Sequence, residues 1–189
     1  MDPHNLALAY SLSSVSGLRA SLTILALALA IHVHAFTPPG SMAWVGSDQT
    51  LIIVGILAFA DFFADKIPVV DHATHLVHAV LAPVAGGIAA SAADPSGGGV
   101  MTVVAILGGA NALGIHGLRS TTRAGSSAAS MGVLNPVLSV VEDVLAVAGL
   151  ALAFVAPFVM AALALIATIV FVLVGRRIVR FVRPSTSSG

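Results

Sequence analysis

An all-α membrane protein is the fold class this sequence predicts, and three observations predict it. Hydrophobic residues fill 58% of the 189 positions and only 8% carry a charge, where a soluble domain carries about 25%. Mean hydropathy is +1.04. The apolar residues are gathered into six stretches, each bounded by charged or turn-forming residues. No polar segment is long enough to fold as a separate soluble domain, so residues 1–189 read as a single membrane domain with lipid as its first partner. Net charge is zero, and no basic stripe is left over for nucleic acid. The absence of cysteine excludes disulfides and thiolate ligands, so any metal chemistry must use histidine and carboxylate.

Taken in order, residues 1–16 form a polar-to-mixed lead containing Asp2, His4 and four serines. A secretory signal fits 21–31 as its apolar core and Val33-His34-Ala35 as its cleavage site. The region before that core is long for a signal, however, and holds one arginine, Arg19. A first membrane span over 18–36 is the better reading. The second span, 50–66, opens after the loop from Thr37 to Asp48, and the third, 72–92, follows the break at Pro68. Asp94-Pro95-Ser96-Gly97 marks a turn, and 100–117 makes the fourth span. A Ser/Thr/Gly/Arg loop, 118–132, leads to Asn135-Pro136, with proline in the first turn of a fifth helix. Residues 144–174 carry no charge. As one helix they would measure roughly 46 Å, against a hydrocarbon core of about 30 Å. Two spans, 135–156 and 158–178, broken at Pro157, resolve the excess.

Six spans gather Arg19, Lys66, Arg119, Arg123, Arg176, Arg177, Arg180 and Arg183 on one face, which the positive-inside rule assigns to the cytoplasm together with both termini. Three spans followed by three more also raise an inverted 3+3 repeat, the plan of many transporters. Asp61-Phe-Phe-Ala64 echoes Asp143-Val-Leu-Ala146 in that sense. At 18.9 kDa and with many small residues, the chain also suits a homo-oligomer.

Two polar constellations interrupt the apolar pattern. From Asp61 to His78 the chain holds three of its eight acids, three of its seven histidines and its lysine. Asp61 and Asp65 share a helical face, and Asp71, His75 and His78 are spaced i, i+4, i+7. Carboxylate and imidazole at that spacing can hold a divalent metal such as Zn, Mn, Fe or Ni, or can relay protons. The bland alternative is that Asp65, Lys66 and Asp71 are loop residues in water. The second constellation is Asn135, Ser139 and Glu142, again i, i+4, i+7, with Asp143 beside it. Two adjacent carboxylates at bilayer depth cannot both be ionised cheaply. Each either takes part in transport or pairs structurally with Arg19, Arg119 or Arg123.

The run Ala64-Asp65-Lys66-Ile67-Pro68, with Asp71, His78, Pro83 and Gly86, is followed by Asn135-Pro136, Ser139 and Glu142-Asp143, and preceded by Gly17-Leu18-Arg19. Together these motifs resemble the domain-of-unknown-function 4126 family of small bacterial membrane proteins, over most of the chain. Asp61 stands where that resemblance leads one to expect glutamate, and His72 and His75 are additions of this chain. The resemblance implies a polytopic fold in the bacterial inner membrane. It implies no activity.

The residues themselves point first to a small transporter or channel for a cation, either a divalent metal or a proton-coupled solute. In it Asp61, Asp65, Asn135, Ser139, Glu142 and Asp143 form the transport site, and His75 and His78 line the inner approach. A membrane-embedded metal enzyme acting on lipid, with Asp71, His75 and His78 as ligands, is a second class. A structural or assembly protein is a third. Transport predicts that Asp61 and Glu142 line a common cavity, and the lipid enzyme predicts a closed ligand set beside a lipid-facing cleft. The structural class predicts each acid bonded to an arginine with no cavity.

Overall fold

The computed structural model describes residues 2–64, 68–94, 98–131 and 133–182, with the side chains of these except 68–76, 98, 129, 171, 174, 175 and 178–182. Among them the backbone is all-helical. The α-helices are α1 (Pro3–Leu18), α2 (Ala20–His32), α3 (Asp48–Ala64), α4 (Pro68–Ala92), α5 (Gly98–Ser130), α6 (Asn135–Val155) and α7 (Pro157–Val182), with a 3-10 helix, Gly40–Gly46, before α3. Helices α2 to α7 fall on the six expected spans. Gly99–Ala128 and Asn135–Val155 are long and apolar enough to cross a membrane, as is the 3-10 helix with α3 if the pair, bent by 55°, counts as one span. Ala20–His32, Val77–Ala92 and Pro157–Val170 are shorter apolar helices. Helix α3 buries no residue and turns Ile52, Ile53, Ile56, Phe59 and Phe63 outward. So large an apolar face suits lipid and not water.

Two expectations are corrected. The expected loop at 118–132 is helical as far as Ser130, where α5 ends. The polar lead is also a helix, and a central one: from Ala7 to Gly17 only Tyr10 escapes burial in α1. Asp2 caps it by accepting from the His4 amide, with Pro3 in the first turn. Its serines enter the core because each hydroxyl donates to a backbone carbonyl. Ser11 bonds Ala7 O at 2.7 Å and Pro157 O at 3.1 Å, Ser14 bonds Tyr10 O at 2.8 Å, and Ser16 bonds Leu12 O at 3.0 Å. From α5, Asn111 Nδ2 reaches Ser13 Oγ and Ser14 Oγ, both at 2.8 Å. Leu12 and Val15 pack with Leu27 and Val45 in the same core.

The course of α1 follows from its contacts. His4 meets the Phe158 ring, Ser11 the Pro157 carbonyl, Val15 the Gly149 backbone, and Arg19 meets Ser139. Helix α1 therefore runs antiparallel to α6, starting at the α6–α7 corner. At Arg19 (φ −144, ψ 87) the helix breaks, and α2 returns to that same end, where Phe36 stacks edge-on with Phe154. The two helices form a hairpin whose tip is Gly17-Leu18-Arg19. The corner itself is set by proline: Ala156, held out of the helical region before Pro157, ends α6.

Helices α4 and α5 are packed backbone to backbone. A Cβ added to Gly86 would lie 2.7 Å from Gly108 O, and one on Gly109 would lie 2.8 Å from Pro83 O. Small residues permit this approach, which replaces hydrophobic driving force with dispersion when the solvent is itself apolar. The pairing is antiparallel and brings His78 on α4 to the level of His116 on α5.

Candidate functional site

The hairpin tip, Arg19, meets a set of buried and half-buried ionisable groups contributed by α3, α4, α5 and α6. Arg19, 2% exposed, is aimed at α6. Its Nη2 lies 2.7 Å from Asp143 Oδ1 and donates to Ser139 Oγ at 2.9 Å and to Ser139 O at 3.4 Å. Beside it Glu142 receives two guanidinium groups from α5. Arg119 Nε donates to Oε2 at 2.9 Å, Arg123 Nη2 to Oε2 at 2.7 Å, and Arg123 Nε to Oε1 at 3.2 Å. All three arginines and Glu142 are buried. Charges held this deep are stable only when paired and hydrogen-bonded, as these are.

On the other flank, near the end of α3, Asp61 accepts from the Ser21 hydroxyl of α2, and its Oδ2 lies 3.2 Å from His78 Nε2 of α4. Behind His78 stands His116 of α5, with ring centroids 6.4 Å apart and both rings buried. Ser21 follows the break at Arg19 by two residues, so the hairpin tip stands between the two flanks. His116, Arg119 and Arg123 follow at i, i+3, i+7, which puts them on a single face of α5. Chemically the cluster combines guanidinium–carboxylate pairs with an imidazole–carboxylate pair.

The sequence-predicted residues divide between these contacts. The stripe Asn135, Ser139 and Glu142 is on the inward face of α6, as its spacing required; Asn135 Nδ2 donates to Ser127 Oγ at 2.9 Å. Asp61 and Glu142, expected to line a common cavity, have separate partners: Ser21 and His78 for the first, Arg119 and Arg123 for the second. Neither borders the cavity between α1, α4 and α5. The alternative that Glu142 and Asp143 pair with arginine is what the geometry has: Arg119 and Arg123 hold the first, Arg19 the second. Those arginines, expected at cytoplasmic ends and loops, are core residues. Of the anticipated metal ligands, His78 is turned to Asp61, while the Asp71 and His75 side chains, like Asp65, lie outside the described residues. Among the described residues no three His, Asp or Glu side chains converge to hold a metal ion. Sequence reasoning missed Ser21 and His116; a lone histidine in an apolar span was the available signal for the second.

An apolar groove of about 170 Å³ runs between α1, α4 and α5, lined by Leu6, Tyr10, Ala90, Val104, Leu107 and Asn111 among others. None of the clustered acids borders it. No curated protein and no solved structure matches the chain. A family model does match, described as domain of unknown function (DUF4126), and it covers residues 6–177, from the buried start of α1 through α7. The hairpin tip, the His78–Asp61 pair and the arginine–carboxylate contacts all fall within that match, and the chain is a member of the DUF4126 family.

Proposed function

We propose that the protein is a small membrane transporter or channel, for a cation or a proton-coupled solute, with the buried ionic cluster as its working centre. The observation that supports this reading is the tip of the α1–α2 hairpin, where Arg19 is buried at the break between the two helices and held against Asp143. Ionisable residues at bilayer depth mark functional sites by default. Within this reading Glu142 and Asp143 are fixed counter-ions of arginine. A cation binding there would have to displace guanidinium, at about 3–5 kcal/mol for a broken buried pair. The exchangeable proton belongs to His78 and Asp61. A divalent ion on Asp71, His75 and His78 is the alternative cargo.

In this reading α2 to α7 are six crossings, with α2–α4 and α5–α7 as inverted halves and α1 as an additional element entering from one side. The positive-inside rule puts the end bearing the exposed Arg176 and Arg177 in the cytoplasm of a bacterial inner membrane. Helix α1 starts at the opposite end, so its N-terminus faces outward, in place of the cytoplasmic one expected from six spans. The structural class is a second reading, favoured by one observation: both acids of α6 are bonded to arginine. Currents from reconstituted protein on rapid exchange of pH or divalent cation separate the two. A current lost in His78→Gln supports transport; silence under every gradient leaves the structural class.

A further inference from the structure

We propose that the seam between α5 and α6 is an ion-pair gate, in which Arg119 and Arg123 clamp Glu142 and shut a polar slot that opens when α6 parts from α5. This inference rests on the transport reading and adds a moving part to it.

The two antiparallel seams of α5 are built differently. Against α4 it presents Gly108 and Gly109, which meet backbone and leave no room to slide. Against α6 it presents polar side chains, and the hydrogen bonds across that seam run from Arg119 and Arg123 to Glu142 and from Asn135 to Ser127. Such a seam is held by a few directed contacts and not by close packing. Two oxygens on these helices, Ser126 Oγ and Asn135 Oδ1, are buried with no hydrogen-bond partner among the described residues. Orphaned buried polar atoms are costly, and an opening that admits water would satisfy both. Helix α6 is also bounded by two backbone breaks. Met131, in the left-handed region at φ 51, precedes it, and Ala156 follows it. A helix between two breaks can rock as a unit, with its hinges outside the working residues. Ser139 and Glu142 face this seam, and Ser139 carries the Arg19 contact. Parting α6 from α5 thus exposes the hairpin tip from the end where Arg119 and Arg123 lie.

The chain has no cysteine, so thiols can be placed freely. In proteoliposomes, Ser139→Cys is exposed to a membrane-impermeant maleimide, alone and combined with Glu142→Gln/Arg123→Gln, which takes the carboxylate and both Arg123 contacts out of the clamp at unchanged net charge. The gate predicts labelling about tenfold faster or more without the clamp, since losing a buried ion pair shifts a closed–open equilibrium by at least that factor. Equal labelling rates in two preparations with matching thermal transitions overturn it. Ser127→Cys/Asn135→Cys, bridged by a short reducible thiosulfonate linker, serves as a second arm that leaves the clamp intact. Flux that stops on bridging and returns on reduction supports the gate, and flux indifferent to the bridge overturns it. Protein with no flux before bridging refutes the transport reading, while the labelling arm still decides whether the seam opens.

Discussion

Replacing Glu142 by alanine leaves Arg119 and Arg123 buried side by side without the carboxylate between them. Three hydrogen bonds disappear, at 2.9, 3.2 and 2.7 Å. Each bond to a charged group contributes about 1.5–3 kcal/mol when measured singly, but bonds sharing one carboxylate do not add. The larger penalty is the pair of guanidinium groups left uncompensated, and removing one partner of a buried ion pair costs about 3–5 kcal/mol. Asp143→Ala sets the scale, since Asp143 meets Arg19 at 2.7 Å and its side chain is 17% exposed; its cost is about 1.5–3 kcal/mol. If uncompensated charge is the cause, Glu142→Met combined with Arg119→Met and Arg123→Leu recovers most of the loss, because well-packed apolar residues replace buried ion pairs at little cost. Equilibrium unfolding in mixed micelles, followed by helical circular dichroism, measures all three proteins. A Glu142→Ala loss below about 1 kcal/mol, within the range of an exposed pair, refutes the buried clamp. A triple variant no more stable than Glu142→Ala refutes the charge argument.

Gly108→Val drives a branched side chain toward the Gly86 carbonyl and Ala90, and overpacking of this kind costs about 1–3 kcal/mol or splits α4 from α5; the same unfolding titration reads it. Asn111→Leu strips the donors serving Ser13 and Ser14 and lowers stability by about 1–3 kcal/mol, whereas Asn111→Gln at the same site retains part of it. In spheroplasts, an epitope placed before Pro3 is reached by external protease while one placed after Gly189 is protected, because α1 starts at the end away from Arg119 and Arg123; equal protection of both epitopes contradicts that course.

Six of the seven α-helices were legible in the sequence because lipid-facing and core positions are both apolar, so each leaves a hydrophobic run. Pro157 was legible for a local reason: the residue before it cannot stay helical, and Ala156 does not. Asn135, Ser139 and Glu142 were legible by spacing alone. Helix α1 was hidden by its serines, which read as polar on any hydropathy scale. In the fold each is a small residue whose hydroxyl returns to a carbonyl one turn back, so little polarity reaches the core. The second half of α5 was hidden in the same way, since Ser120, Thr121 and Thr122 bond the carbonyls of residues four earlier. Arg19, Arg119 and Arg123 were misplaced because counting basic residues by loop treats every arginine as a topology anchor. Only the tertiary fold brings their carboxylates to them, from α6. His116 carried no motif, and its neighbour His78 comes from another helix.

The most direct test of the working centre is Asp61→Asn, with proton flux and thermal stability measured on the same reconstituted protein. Asparagine keeps an acceptor for Ser21 and nearly the same volume but cannot carry the exchangeable charge opposite His78. Flux driven by a pH gradient should fall to the level of empty vesicles while the thermal transition stays close to that of the unaltered protein. Flux that persists in Asp61→Asn, or flux lost only together with the folded state, would contradict a proton-linked centre at the hairpin tip.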